Sequence, residues 1–192
     1  MTPELSRRDA VAALGAAGVA TAGLGALTWT ALDEDGGDES GDDQRETTET
    51  ERRAPSPTER ETLVAAAEAL YPSGVSGVET FVETYVVGRL RDRPDHEAGV
   101  REAARAIDDY ARQWYDGPYA ELDRGTRQDI FDEWGLDITD PVPDGSRRER
   151  VRYYLVNELL YAFYSSPTGG ELVGIENPQG HPGGTDSYQR GP

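Results

Sequence analysis

The stretch Val151–Tyr164 limits the possible folds more than any other part of the chain. Val151, Leu155, Leu159 and Ala162 form one apolar stripe at helical spacing, and Tyr153, Val156, Leu160 and Phe163 form a second. A surface helix needs one such stripe, so a helix apolar on two sides is central to its own domain or shared with a partner. Only Arg152, Asn157 and Glu158 interrupt it. Asp144 is placed to cap its start behind Pro143, and Pro167 with Gly169-Gly170 to mark its end. The other helices are expected to pack around it.

Upstream, Thr58-Glu-Arg-Glu61 reads as a capping box, followed by Leu63, Val64, Ala67, Leu70 and Tyr71 on one face until Pro72. Ser76-Gly-Val-Glu79 reads as a second box, leading into Val78, Phe81, Val82, Tyr85 and Val86. Arg89, Arg91 and Arg93 gather at the C-terminal end of that helix, where cations suit the dipole. Asp95 is placed to cap a long third helix with the stripe Val100, Ala104, Ile107, Ala111 and Trp114. A shorter helix carries Ile130, Phe131 and Trp134 and closes at Gly135. No β-alternation of useful length occurs. Residues 58–192 are therefore expected to be an all-α domain of about five helices around the Val151–Tyr164 helix, with an irregular Gly/Pro-rich tail. Trp114 and Trp134 are read as core.

Composition separates this domain from what precedes it. The 192 residues are only 36% hydrophobic, with 37 acidic against 19 basic side chains, and every basic one is Arg. A net charge of -18 argues against nucleic acid, whose phosphates would be repelled. Dense carboxylates without Lys suit a salt-saturated solvent, which screens their repulsion. With no Cys there is no disulfide, thiolate nucleophile or iron–sulfur ligation. Asp33 to Pro57 is acidic and lacks periodic apolar residues, so residues 33–57 read as a solvated, disordered linker.

Ser6-Arg7-Arg8 stands before an uncharged, Ala/Gly-rich run from Ala10 to Leu32. Residues 1–32 resemble a twin-arginine export signal. Ala20-Thr21-Ala22 is a candidate cleavage site. Left uncut, the run would reach about 34 Å as a helix at ~1.5 Å per residue, enough to cross a bilayer. In either case the domain is expected to be exported, at the outer face of the cytoplasmic membrane, anchored or released.

The tail from Gly169-Gly170 through Gly174, Asn177-Pro178, Gly180, His181, Pro182-Gly183 and Gly184 is too rich in Gly and Pro for helix or sheet. Repeated Gly suggests backbone packed closely against something. Together with the twin-arginine leader, the turn Glu68-Ala-Leu-Tyr-Pro72 with its following helix, and Tyr161-Ala-Phe-Tyr164 running into this tail and its late Tyr188, the chain resembles gluconate 2-dehydrogenase subunit 3. The likeness covers about Thr58 to Tyr188. The high acidity and the long acidic tether depart from it.

The resemblance implies a small subunit that holds no flavin. Its partner would be a large flavoprotein carrying FAD and the chemistry, with a cytochrome subunit taking the electrons onward. The small subunit would carry the folded flavoprotein through the twin-arginine translocase and stay bound to it. The contact surface expected on this reading is Tyr153, Val156, Leu160 and Tyr164, with Gly169, Gly170, Gly174, Asn177, Pro178, Gly180, Pro182, Gly183 and Tyr188 of the tail.

The residues themselves offer little catalysis. No G-x-G-x-x-G follows a strand. His96 and His181 are the only His, neither with a neighbouring ligand cluster. No residue pattern around Ser165-Ser166 suggests a triad. Glu158 alone is drawn into an apolar region, where a Glu paired to Tyr or Arg at a helix junction is preferred over a proton-transfer role. Catalytic, cofactor-binding and metal-binding residues are expected to be absent from this chain. The alternative reading is a self-contained, tethered extracytoplasmic helical domain that binds a ligand without an enzyme partner.

Overall fold

The computed structural model describes residues 2–16, 55–90 and 93–174. Within them the fold is all-α, with an isolated bridge between Glu4 and Ser76 as the one β-type pairing. The helices are α1 (Arg7–Ala16), α2 (Pro57–Leu70), α3 (Val78–Leu90), α4 (Pro94–Trp114), α5 (Arg124–Glu133), α6 (Arg147–Val151), α7 (Glu158–Ser165) and α8 (Pro167–Leu172). A short 3-10 turn covers Tyr119–Glu121, and a π-helical stretch, Arg152–Asn157, joins α6 to α7 in one continuous rod. The five expected helices are therefore α2, α3, α4, α5 and this rod.

Several helices start at a different residue from the one expected. The Ser56 hydroxyl accepts from the Glu59 amide while the Glu59 carboxylate accepts from Ser56, with Pro57 in the first turn. This displaces Thr58 as the cap, because proline fits the first helical position, where no N–H is needed. Ser146 and Glu149 form the same reciprocal box, in place of Asp144. Pro94 likewise opens α4, leaving Asp95 inside the first turn. Ser76 caps nothing. Its amide donates to the Pro3 carbonyl (3.0 Å) and its carbonyl accepts from Leu5 (2.9 Å), pairing the chain's start to the turn before α3.

The rod is central, as its two stripes require. Val151, Leu155, Val156, Leu159, Ala162 and Phe163 are all buried. A π turn holds more residues than an α turn, so it rotates the downstream face relative to the upstream one. Both stripes thereby reach the same core. Tyr71 stacks on Phe163 at 4.6 Å and donates to the Leu159 carbonyl at 2.9 Å, tying the end of α2 to α7. Each fully buried aromatic or Leu contributes roughly 1.5–3 kcal/mol.

Two expectations are corrected here. Trp114 is 66% exposed, outside the α4 stripe, while Trp134 is half-buried and stacks on Tyr110. Gly169 and Gly170 do not begin an irregular tail. They are buried within α8, which Ser166 caps through the Gly169 amide and Pro167 opens. That Ser-Pro start offsets the poor helix propensity of two glycines. Residues 2–16 pack on the domain. Leu5, Ala10, Ala13 and Leu14 lie in its core, where α1 packs on α3, α7 and α8.

Candidate functional site

Where α3, α4 and α7 meet, three side chains converge on Glu158 at the first position of α7. Its Oε1 accepts from the Tyr85 hydroxyl at 3.0 Å and from Arg89 Nε at 2.8 Å, and its Oε2 lies 3.0 Å from His96 Nε2. A single carboxylate in a doubly apolar helix must find partners when buried. Burial works against its charge, but the His96 hydrogen bond and the Arg89 guanidinium outweigh that and hold the pKa below the usual Glu range. An ionised Glu158 has no proton to give, so His96 Nε2 carries the hydrogen between them. Burial, then the Glu158 charge, pushes the Tyr85 hydroxyl far up, so it stays a neutral donor. Glu158 is thus the paired carboxylate of a helix junction. Its need for partners was readable; the arrival of His96 from α4 was not.

Beside this cluster opens a concavity of about 380 Å³ lined by Arg89, Arg93, His96, Tyr153, Asn157, Glu158, Leu160 and Tyr161. Among the described residues, no group of three or more His, Asp or Glu is arranged to hold a metal ion.

The expected contact residues are distributed unevenly. Val156, Gly169 and Gly170 are buried in the chain's own packing. Val156 belongs to the stripe that the π turn brings into the core, and a β-carbon on Gly169 would meet the Phe163 carbonyl oxygen at 2.0 Å. Tyr153 and Leu160 are half-buried, whereas Tyr164 and Gly174 are exposed. Asn177, Pro178, Gly180, His181, Pro182, Gly183 and Tyr188 lie outside the described residues. Tyr161, Leu172 and Val173, which the sequence offers as part of the aromatic helix end and as anchors of the tail, were not among the expected contact residues; all three are large and exposed, on α7 or at the end of α8, as Tyr164 is.

At the other end of the chain, Arg7 and Arg8 are exposed in the first turn of α1, and Ser6 is half-buried. Ser6 donates to the Asp9 carboxylate, which also accepts from the Thr168 amide of α8 at 3.0 Å. Burial disfavours the charged Asp9, but the hydrogen bonds from Ser6 and Thr168 prevail and keep its pKa below the usual Asp range. No helix among the described residues is long and apolar enough to cross a membrane.

The family model for gluconate 2-dehydrogenase subunit 3 matches residues 57–183. That span takes in the Glu158 cluster, α8 and the tail as far as Gly183, and excludes α1 and Tyr188. No curated protein and no solved structure is significantly similar to the chain.

Proposed function

The chain belongs to the gluconate 2-dehydrogenase subunit 3 family, and from that membership we propose that it is the non-catalytic small subunit of a flavin-dependent sugar or sugar-acid dehydrogenase. Membership makes it an accessory subunit of a larger dehydrogenase complex. The finer reading adds a large flavoprotein partner that carries FAD and the oxidation, and a cytochrome subunit that removes the electrons. It also adds twin-arginine export directed by Ser6, Arg7 and Arg8, with the complex held at the outer face of the membrane. A flavin inserted in the cytoplasm must cross inside a folded protein, which is the load such an escort serves.

The observation that carries this reading is the family match across nearly the whole domain. Its docking face would be the exposed apolar side chains Tyr161, Tyr164, Leu172 and Val173, continued by the tail to Gly183. The open concavity beside Glu158 favours a second reading, a domain that binds a small ligand with no enzyme partner.

Purification of the tagged full chain from native membranes separates the two. A larger, yellow flavoprotein co-purifies on the first reading, and Tyr164→Asp with Leu172→Asp releases it without unfolding the chain. A colourless preparation with no second polypeptide supports the ligand-binding reading. Substrate turnover by the chain alone overturns both.

A further inference from the structure

Residues 3–16 lie in a groove shaped to receive them. Leu5, Ala10, Ala13 and Leu14 are essentially inaccessible to solvent, and the backbone of Pro3 and Leu5 pairs with Ser76. Gly77 has φ +75°, and a β-carbon there would stand 2.1 Å from the Leu5 carbonyl oxygen. Gly88 stands within α3, where glycine is among the least favourable residues. A β-carbon on it would come within 2.4 Å of Leu14 Cδ1. At the far end, Asp9 holds the Thr168 amide of α8, and the Tyr161 hydroxyl donates to the Ala16 carbonyl at 2.9 Å. Two glycines and two polar ties, from three helices and the turn before α3, thus answer the shape of one segment.

The same residues begin the apolar run on which the export reading depends. As one helix, Ala10–Leu32 would span a bilayer. With Ala10–Ala16 in the groove only residues 17–32 remain, about 24 Å at ~1.5 Å per residue. That falls short of a hydrocarbon core of roughly 30 Å. One segment cannot serve both places.

We propose that the folded domain is a receptor for its own leader: the groove between α3, α7 and α8 takes up residues 3–16, and docking there excludes their use by the membrane or its translocase. The proposal rests on the export reading of Arg7 and Arg8. In the docked state the arginine pair stays on the surface while the apolar residues that follow are hidden. A chain in this state is withheld from the membrane until α1 leaves the groove.

Hydrogen exchange on the full-length chain tests the docking, and fractionation of cells expressing it tests the exclusion. Wild-type amides of residues 10–16 should exchange as slowly as those of α3. Gly88→Ala, which by itself improves α3, should speed their exchange about tenfold or more and raise the membrane or exported fraction. Leu14→Asp should speed their exchange likewise with the α3 sequence unchanged; because a charge within the apolar run itself opposes membrane insertion, only Gly88→Ala reads the membrane fraction. Free exchange of residues 10–16 in the wild type overturns the proposal. Lost protection with an unchanged membrane fraction, while Arg7→Lys with Arg8→Lys abolishes export, overturns the exclusion and leaves the export reading standing. If the Lys pair leaves export intact, the export reading falls and the withholding role falls with it; exchange alone then decides the docking.

Discussion

Two buried carboxylates hold this molecule together in different ways. Glu158 sits where α3, α4 and α7 meet and is met by a guanidinium, an imidazole and a phenol. Asp9 sits where α1 meets α8 and is met by a hydroxyl and amides, with no cation among its hydrogen-bond partners in the described residues. Both are held below their ordinary pKa range. The difference lies in what each would leave behind. Without Glu158, the mostly buried Arg89 (side chain 13% exposed) would lose a carboxylate that now lies 2.8 Å from its Nε. Without Asp9, only neutral groups at one edge would lose an acceptor. The Glu158 junction is therefore a condition of the whole fold, and the Asp9 junction a latch on one segment.

The sharpest break in that comparison is Glu158→Leu. Removing one partner of a buried ion pair costs about 3–5 kcal/mol, which should appear as a large fall in the urea midpoint with an unchanged slope. Adding Arg89→Met should recover part of it, because the buried charge that Glu158 faced then goes too. A loss under about 1 kcal/mol would place Glu158 no deeper than a surface pair. Asp9→Asn should cost less, about 1–2 kcal/mol for the weakened hydrogen bonds. Its effect should also be local: exchange in residues 5–14 and in α8 quickens while the rod keeps its protection. Equal damage to both regions would dissolve the distinction between core and latch.

Acid provides a third contrast. A carboxylate whose folded pKa is depressed stabilises the fold fully above its unfolded value, near ~3.9 for Asp and ~4.3 for Glu, and loses that stabilisation as pH falls through the folded value. Both junctions therefore weaken on acidification below about pH 4. In Glu158→Gln the decline of global stability with falling pH should be shallower than in the wild type. In Asp9→Asn the global decline should keep its slope, while protection of residues 5–14 becomes insensitive to pH. Titration of urea midpoints and exchange rates reads both.

The Glu158 region was partly legible in the sequence and the Asp9 region hardly at all, for physical reasons. Apolar periodicity marks a helix that must be covered, so the central place of Val151–Phe163 followed from its two stripes. A lone Glu within it demanded partners, and Tyr or Arg was the right kind. That Arg89 and His96 supply them depends on how three helices cross, which no local pattern encodes. The cap assignments missed by small steps because Ser56 and Ser146, each three residues before a Glu, compete with nearby Thr58 and Asp144. Residues 2–16 were less legible still. Ala and Gly suit a weak membrane segment and equally suit a helix packed tightly on others, and no local pattern shows that Gly77 and Gly88 stand against Leu5 and Leu14. Gly169-Gly170 misled for the same reason, since close packing against the Phe163 backbone looks like a helix breaker when read along the chain.

The smallest expected effect falls on the residue that touches both regions. Tyr161 lines the concavity beside Glu158, yet its hydroxyl is spent on the Ala16 carbonyl at the end of α1. Tyr161 is 43% exposed, so Tyr161→Phe keeps the packing and removes one partly solvated hydrogen bond. Global stability should change by no more than about 0.5 kcal/mol. If the latch is a separate unit, that small loss should be concentrated in it, with faster exchange at the last turn of α1 and unaltered exchange at Tyr85, Arg89 and His96. If instead the Glu158 cluster loosens along with α1, the two junctions are coupled through Tyr161, and release of α1 would be felt at the concavity as well.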